Sequence, residues 1–311
     1  MSQLWEATFW SATIAGGLRL ATPLIYASIG ETFAQRSGVI NLGLEGYMIV
    51  GALTSLYVAD PTVGPLGFLA GGLAGMVLAS VMVLLSIRMF ANQVVVGFGL
   101  TILGIGITGY IFRVTTDVGG TDRQVSLPPE LDIPLLSDIP WLGDALFGHN
   151  WYTWLAVALV PIAWFVASRT IFGLEVRAVG EDPDAAAARG VDVLGVRSVA
   201  TLMSGFLGGL GGAALMLGGV GRFQPLITAN RGFIALIVII MASWSIWGAA
   251  LGAFVFGFFE ALGINLNNVF VDVPIEALNA IPFFVALVIL TAGARWARMP
   301  PGLGDNYVPT T

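Results

Sequence analysis

Few side chains in this 311-residue chain could do chemistry, and they fall into three groups. The first is Gly30–Gly46, GETFAQRSGVINLGLEG, which sets Glu31, Arg36, Asn41 and Glu45 among glycines beside long apolar runs. Unwound polar backbone exists at membrane depth only where protein or a water-filled cavity covers it. The stretch therefore reads either as an element lining a pathway or gate, or as a turn whose charges pair locally. The second group is Arg19, Glu45 and Glu260, each inside an apolar segment. Facing lipid, each would cost a few kcal/mol, so these side chains face the interior, pair or snorkel. Contact with a transported substrate is one reading and a structural ion pair or cap is the other. The third group is the charged island Ser168–Arg197, with Arg169, Arg177, Arg189 and Arg197.

Much chemistry is excluded. There is no cysteine, so neither disulfides nor thiolate reactions are available. All thirteen basic residues are arginine, which removes a P-loop lysine, a Schiff base and a lysine general base. One histidine, His149, builds no metal site and reads as a solvated loop residue. A net charge of −6 argues against nucleic acid. The first residues lack a basic n-region and a cleavage site, so no signal peptide is expected.

Composition supplies the scaffold. With 57% hydrophobic residues and 10% charged, this is an all-α polytopic membrane protein. Nine apolar segments are expected to span: 7–29, 39–58, 66–87, 94–112, 151–167, 199–217, 232–247, 248–264 and 280–294, with room for a tenth re-entrant piece. Residues 1–311 read as one transmembrane domain, with a long acidic loop over 113–150 and the island as a loop over 168–198. Glycine pairs four apart (Gly71/Gly75, Gly205/Gly209, Gly208/Gly212, Gly248/Gly252) read as helix-packing contacts. Placing the island in the cytoplasm puts eight arginines inside and four outside, as the positive-inside rule demands; the 113–150 loop is then extracytoplasmic.

Within the island one short helix is written in full. Asp182 is an N-cap, Pro183 suits the first helical position, Asp184 places negative charge in the first turn, and four alanines follow. Arg189 ends it and Gly190 supplies a left-handed stop. At about two turns it is too short to stand alone, since isolated helices need ~12–15 residues, so it is expected to dock against another protein.

Two stretches carry a family resemblance. QRSGVINLGLEGYMIVGA, with its flank LRLATPLIYASIGETFAQ, resembles the signature of permease subunits of ABC importers, in particular the nucleoside branch. FGLEVRAVGEDPDAAAARGVDVLGVRSVATLMSGFLGGLGGAAL is similar to that family's cytoplasmic coupling loop and the helix after it. One departure is ASWSIWG at Ala242–Gly248, where the family usually has a glycine and a proline. The resemblance implies a type II importer bundle of inverted repeats in the cell membrane. It also implies a nucleoside permease without its own ATPase, a simple-sugar permease being the nearer alternative. The implied partners are an ABC ATPase subunit carrying ATP and magnesium, a second permease subunit, identical or different, and an extracytoplasmic substrate-binding lipoprotein. Glu181, Asp182, Pro183, Asp184, Ala186, Ala187, Arg189 and Gly190 would contact the ATPase. A stand-alone secondary transporter or channel using Arg19, Glu45 and Glu260 as a relay is the rival. No Walker motif is present, so ATP hydrolysis by this chain alone is not expected.

Overall fold

The computed structural model describes residues 7–59, 64–117, 125, 127–131, 143, 146–270, 273–293 and 298–308. In chain order the helices are α1 (Ala7–Arg36), α2 (Leu44–Val58), α3 (Gly64–Arg88) and α4 (Gln93–Asp117). Then come α5 (Trp151–Arg169), α6 (Ile171–Glu181), α7 (Pro183–Ala188) and α8 (Val193–Val220). The last are α9 (Arg231–Met241), α10 (Ile246–Val269), α11 (Ile275–Asn279) and α12 (Ile281–Gly293). Each of the nine expected apolar segments contains a helix, though residues 39–43 and 242–245 of the second and seventh segments are not helical. Among the described residues, six helices (α1, α3, α4, α5, α8, α10) are long and apolar enough to cross a membrane. The apolar helices at Leu44–Val58, Arg231–Met241 and Glu276–Thr291 are shorter.

The two most buried long helices, α1 and α8, form the centre; α2 and α3 pack on α8, and α10 packs on α1. The glycines make this possible. A Cβ on Gly51 would lie 2.6 Å from Gly209 Cα, and one on Gly75 would lie 2.8 Å from the same atom. Three helices thus meet backbone to backbone, the close approach that small residues permit.

The structure moves several expected boundaries; the seventh segment's helix ends at Met241 and the eighth segment's helix runs Ile246–Val269. The first apolar segment does not stop at residue 29, because α1 runs on to Arg36. Gly30–Gln35 is fully covered by α8 and its neighbours, and its polar groups find partners inside. The second helix starts at Leu44 rather than at residue 39. Asn41 Oδ1 accepts from the Gly43 amide at 3.2 Å, an Asx-type turn that holds 37–43 out of the helix. The island holds one more helix than expected, α6, capped by Thr170.

His149 is buried, not solvated. Its carbonyl accepts from the Leu131 amide at 2.9 Å, folding the long loop back on the bundle. Of the acids in that loop, Asp122, Asp132, Asp138 and Asp144 lie outside the described residues.

Candidate functional site

The Gly30–Gly46 stretch folds into a buried carboxylate network. Glu31 is fully enclosed. Its Oε2 accepts from Ser204 Oγ at 2.6 Å and from Asn41 Nδ2 at 3.1 Å, and its Oε1 accepts from Gln35 Nε2 at 3.1 Å. Tyr47 OH donates to Asn41 Oδ1 at 3.0 Å. Gln35 Oε1 in turn accepts from Trp244 Nε1 at 2.7 Å. One polar chain thus joins α1, the unwound 37–43 segment, α2, α8 and the turn before α10. Ser243 and Trp244 both adopt left-handed backbone (φ 48° and 56°). That conformation costs of order 1–3 kcal/mol per residue, and the buried indole with its bond to Gln35 helps offset it. The unusual ASWSIWG turn therefore has a structural purpose: its first tryptophan closes the network.

Glu45 is equally buried and serves a helix end. Its Oε1 accepts from Thr228 Oγ1 at 2.5 Å and from the Asn230 amide at 3.0 Å, and its Oε2 accepts from the Gly232 amide at 2.7 Å. These groups begin α9. The carboxylate satisfies orphan amides and meets the positive end of the helix dipole. One residue along, Arg231 Nη2 donates to Glu260 Oε1 at 2.5 Å, tying α9 to α10. That pair leaves Arg231 Nε and Glu260 Oε2 buried without hydrogen-bond partners. Arg19 Nη2 donates to Glu130 Oε1 at 3.0 Å, with both side chains about half exposed. Arg19, Glu45 and Glu260 thus have separate partners, and no described hydrogen bond joins any two of them.

Arg19 and Arg231 border one cavity of about 330 Å³ between α1, the start of α5, the end of α8 and the Ile227–Arg231 turn. Thr22, Asn150, Tyr152 and Thr153 add polar groups to its wall. It lies at the end of the bundle remote from α7, because α5 and α8 each run from one end to the other. Sequence reasoning passed over Arg231, Thr228 and Ser204. A charged or hydroxyl residue in an apolar helix was the available signal for Ser204 alone.

At the other end α7 is built as its sequence dictates. Asp182 Oδ1 accepts from the Ala185 amide at 2.9 Å, Pro183 opens the helix, and Gly190 takes φ +86°. Glu181, Asp182, Asp184, Ala185, Ala188, Arg189 and Gly190 are exposed. Ala186 is not: it packs into the chain's own cluster of Val176, Val179, Val193 and Val196, with Ala187 and Tyr307 against it. Among the four alanines of α7, Ala185 and Ala188 are the exposed ones. The tail braces this end. Gly302 N donates to Gly180 O at 2.9 Å, Gly304 N to Gly38 O at 3.0 Å, and Arg197 Nη1 to Asp305 O at 2.7 Å. Arg36 lines a polar cavity of about 490 Å³ with Arg177, Glu181, Trp244 and Arg298.

Comparison with known proteins now bears on this arrangement. The chain is 34% identical to a guanosine ABC transporter permease of Bacillus subtilis, over 96% of this chain and 97% of that one. It is 32% identical to a nucleoside ABC transporter permease of Lactococcus lactis subsp. cremoris, over 95% and 96%. A putative glucose ABC transporter permease of Haloferax volcanii is 36% identical over 84% and 79%. No solved structure matches. Residues 13–291 match the family described as branched-chain amino acid transport system / permease component, and the chain belongs to that family of multi-pass membrane permeases.

Proposed function

We propose that this chain is a pathway-forming permease subunit of an ATP-driven nucleoside importer. The observation that carries the reading is its near full-length likeness to two permeases named for nucleoside and guanosine transport. ATP and magnesium act on a separate ABC ATPase subunit, a second permease subunit completes the pathway, and an extracytoplasmic lipoprotein delivers the solute. The chain itself hydrolyses nothing. The end carrying α7 faces the cytoplasm, and the exposed residues Asp184, Ala185, Ala188 and Arg189 dock on the ATPase. Movement of the ATPase pair shifts α7 and, through α6 and the braced tail, the unwound 37–43 segment. The Glu31 network and the Glu45-capped start of α9 act as hinge elements that hold one arrangement and yield to another. ATP drives the switch only in so far as it binds the two arrangements with different affinity.

The test is ATPase activity of the reconstituted complex with its binding protein. Guanosine stimulates hydrolysis if the reading holds. Stimulation by glucose or leucine alone removes the nucleoside assignment and leaves an importer of another solute.

A further inference from the structure

The cavity of about 490 Å³ at the α7 end of the bundle carries unbalanced charge. Arg36 reaches it from the end of α1, Arg177 from α6 and Arg298 from the tail, and Glu181 is the one acid among its described lining residues. None of the three arginines forms an ion pair with a described residue, Glu181 included. Arg177 Nη1 donates to the Ala167 carbonyl at 2.8 Å. Arg36 makes no hydrogen bond with a described residue. Unlike Arg197 and Arg231, it also has no unpartnered nitrogen enclosed by protein, so its guanidinium is accessible. Arg36 lies close enough to Arg177 for the two like charges to interact, which is unfavourable until a counter-charge joins them. Arg36 sits in the last turn of α1, where the helix dipole favours a cation. That accounts for one arginine at this place and not for three.

We propose that this cavity binds a phosphate group, either free in solution or on the headgroup of an anionic lipid, held by Arg36, Arg177 and Arg298. Three arginines against one carboxylate leave an excess of two positive charges. A phosphate monoester carries about −1.5 to −2 near neutral pH and offers three acceptor oxygens. The planar guanidinium fork matches phosphate oxygens two at a time. The volume falls in the range of small-molecule sites, and basic pockets between helices at this depth suit phosphate headgroups. A group bound here would bridge the end of α1, α6, the Ser243–Trp244 turn and the tail. That the site faces the cytoplasm rests on the orientation proposed above; the binding itself does not.

The test is therefore made independent of sidedness. The complete complex is placed in nanodiscs of pure phosphatidylcholine, which expose both faces. Met299 lines the cavity and is 60% exposed, so Met299→Cys is the reporter. This chain has no cysteine of its own, and its labelling by uncharged N-ethylmaleimide is read by mass spectrometry. Val308→Cys, exposed and outside the cavity lining, is the control. Inorganic phosphate, compared with potassium chloride of equal ionic strength, should slow labelling of Met299→Cys severalfold and leave Val308→Cys unchanged. Protection in pure phosphatidylcholine identifies a soluble phosphate. Protection that appears only when phosphatidylglycerol replaces part of the lipid identifies a headgroup. Either result supports the site. The protection should weaken severalfold in Arg36→Gln and in Arg298→Gln, and Arg298 is exposed, so its loss does not threaten folding. Equal labelling rates under all conditions overturn the proposal. So does protection that neither substitution weakens, or a Met299→Cys thiol that a partner subunit keeps from reacting.

Discussion

Replacing Glu45 by alanine should destabilise the start of α9 more than any other single loss at that helix end. Three donors converge on the carboxylate: Thr228 Oγ1, the Asn230 amide and the Gly232 amide, at 2.5 to 3.0 Å. Glu45 is 2% exposed, and water does not readily replace it. A hydrogen bond to a charged group contributes roughly 1.5–3 kcal/mol, and a buried donor left unpaired costs about 1–3 kcal/mol. Because the three bonds share one side chain, they do not add fully, and a loss of about 3–5 kcal/mol is the reasonable scale for emptying such a site. The Glu45→Gln variant keeps the shape. Its carbonyl oxygen serves one side of the site while its NH₂ faces a donor, so about half the loss should remain. The assay is thermal inactivation of the detergent-purified complex, followed by loss of the monodisperse peak on gel filtration. At about 2–4 °C per kcal/mol for a chain of comparable size, Glu45→Ala should fall roughly 6–20 °C below wild type, with Glu45→Gln between. Equal thermal profiles for all three would show that Glu45 does not hold the start of α9 and would refute the argument.

Other outcomes follow from the same geometry. Arg19→Ala should change stability by less than about 1 kcal/mol, because its pair with Glu130 is about half exposed; a large loss of purified complex would contradict this. Ala185→Trp and Ala188→Trp should leave the permease monodisperse and weaken pull-down of the ATPase subunit. Ala186→Trp should lower stability itself, by about 1–3 kcal/mol, because it overpacks the Val176–Val179–Val196 cluster. Topology can be read by thiol labelling in vesicles: Leu131→Cys should react from outside and Asp184→Cys only from inside, and the reverse pattern inverts the orientation.

How far the sequence reveals this arrangement depends on how local the cause is. The α7 helix is legible to the residue because its N-cap, first-position proline and glycine stop all lie within nine positions. The apolar segments are legible because hydropathy is a local average. The extension of α1 to Arg36 is not, because Gly30–Gln35 reads as polar until Ser204 and Asn41, 173 and ten positions away from Glu31, supply its hydrogen bonds. The same reason hides the Glu45 cap, whose donors lie more than 180 residues on. Arg231 looks like one more arginine in a loop until Glu260 is placed beside it. Ala186 and Ala187 are identical in sequence to the exposed alanines on either side; only the packing of α7 on α6 and α8 tells them apart. ASWSIWG reads as a departure because the partner of its first tryptophan, Gln35, is 209 residues away.

The central claim is that this chain forms the pathway of an ATP-driven nucleoside importer, and solute accumulation tests it most directly. The complex of this permease, its ATPase, its partner permease and its binding lipoprotein is reconstituted in proteoliposomes with ATP on the α7 side and radiolabelled guanosine on the other. The account predicts accumulation against a gradient that requires ATP and is unaffected by collapsing a proton gradient. Uptake that proceeds without ATP and follows the proton gradient would contradict it.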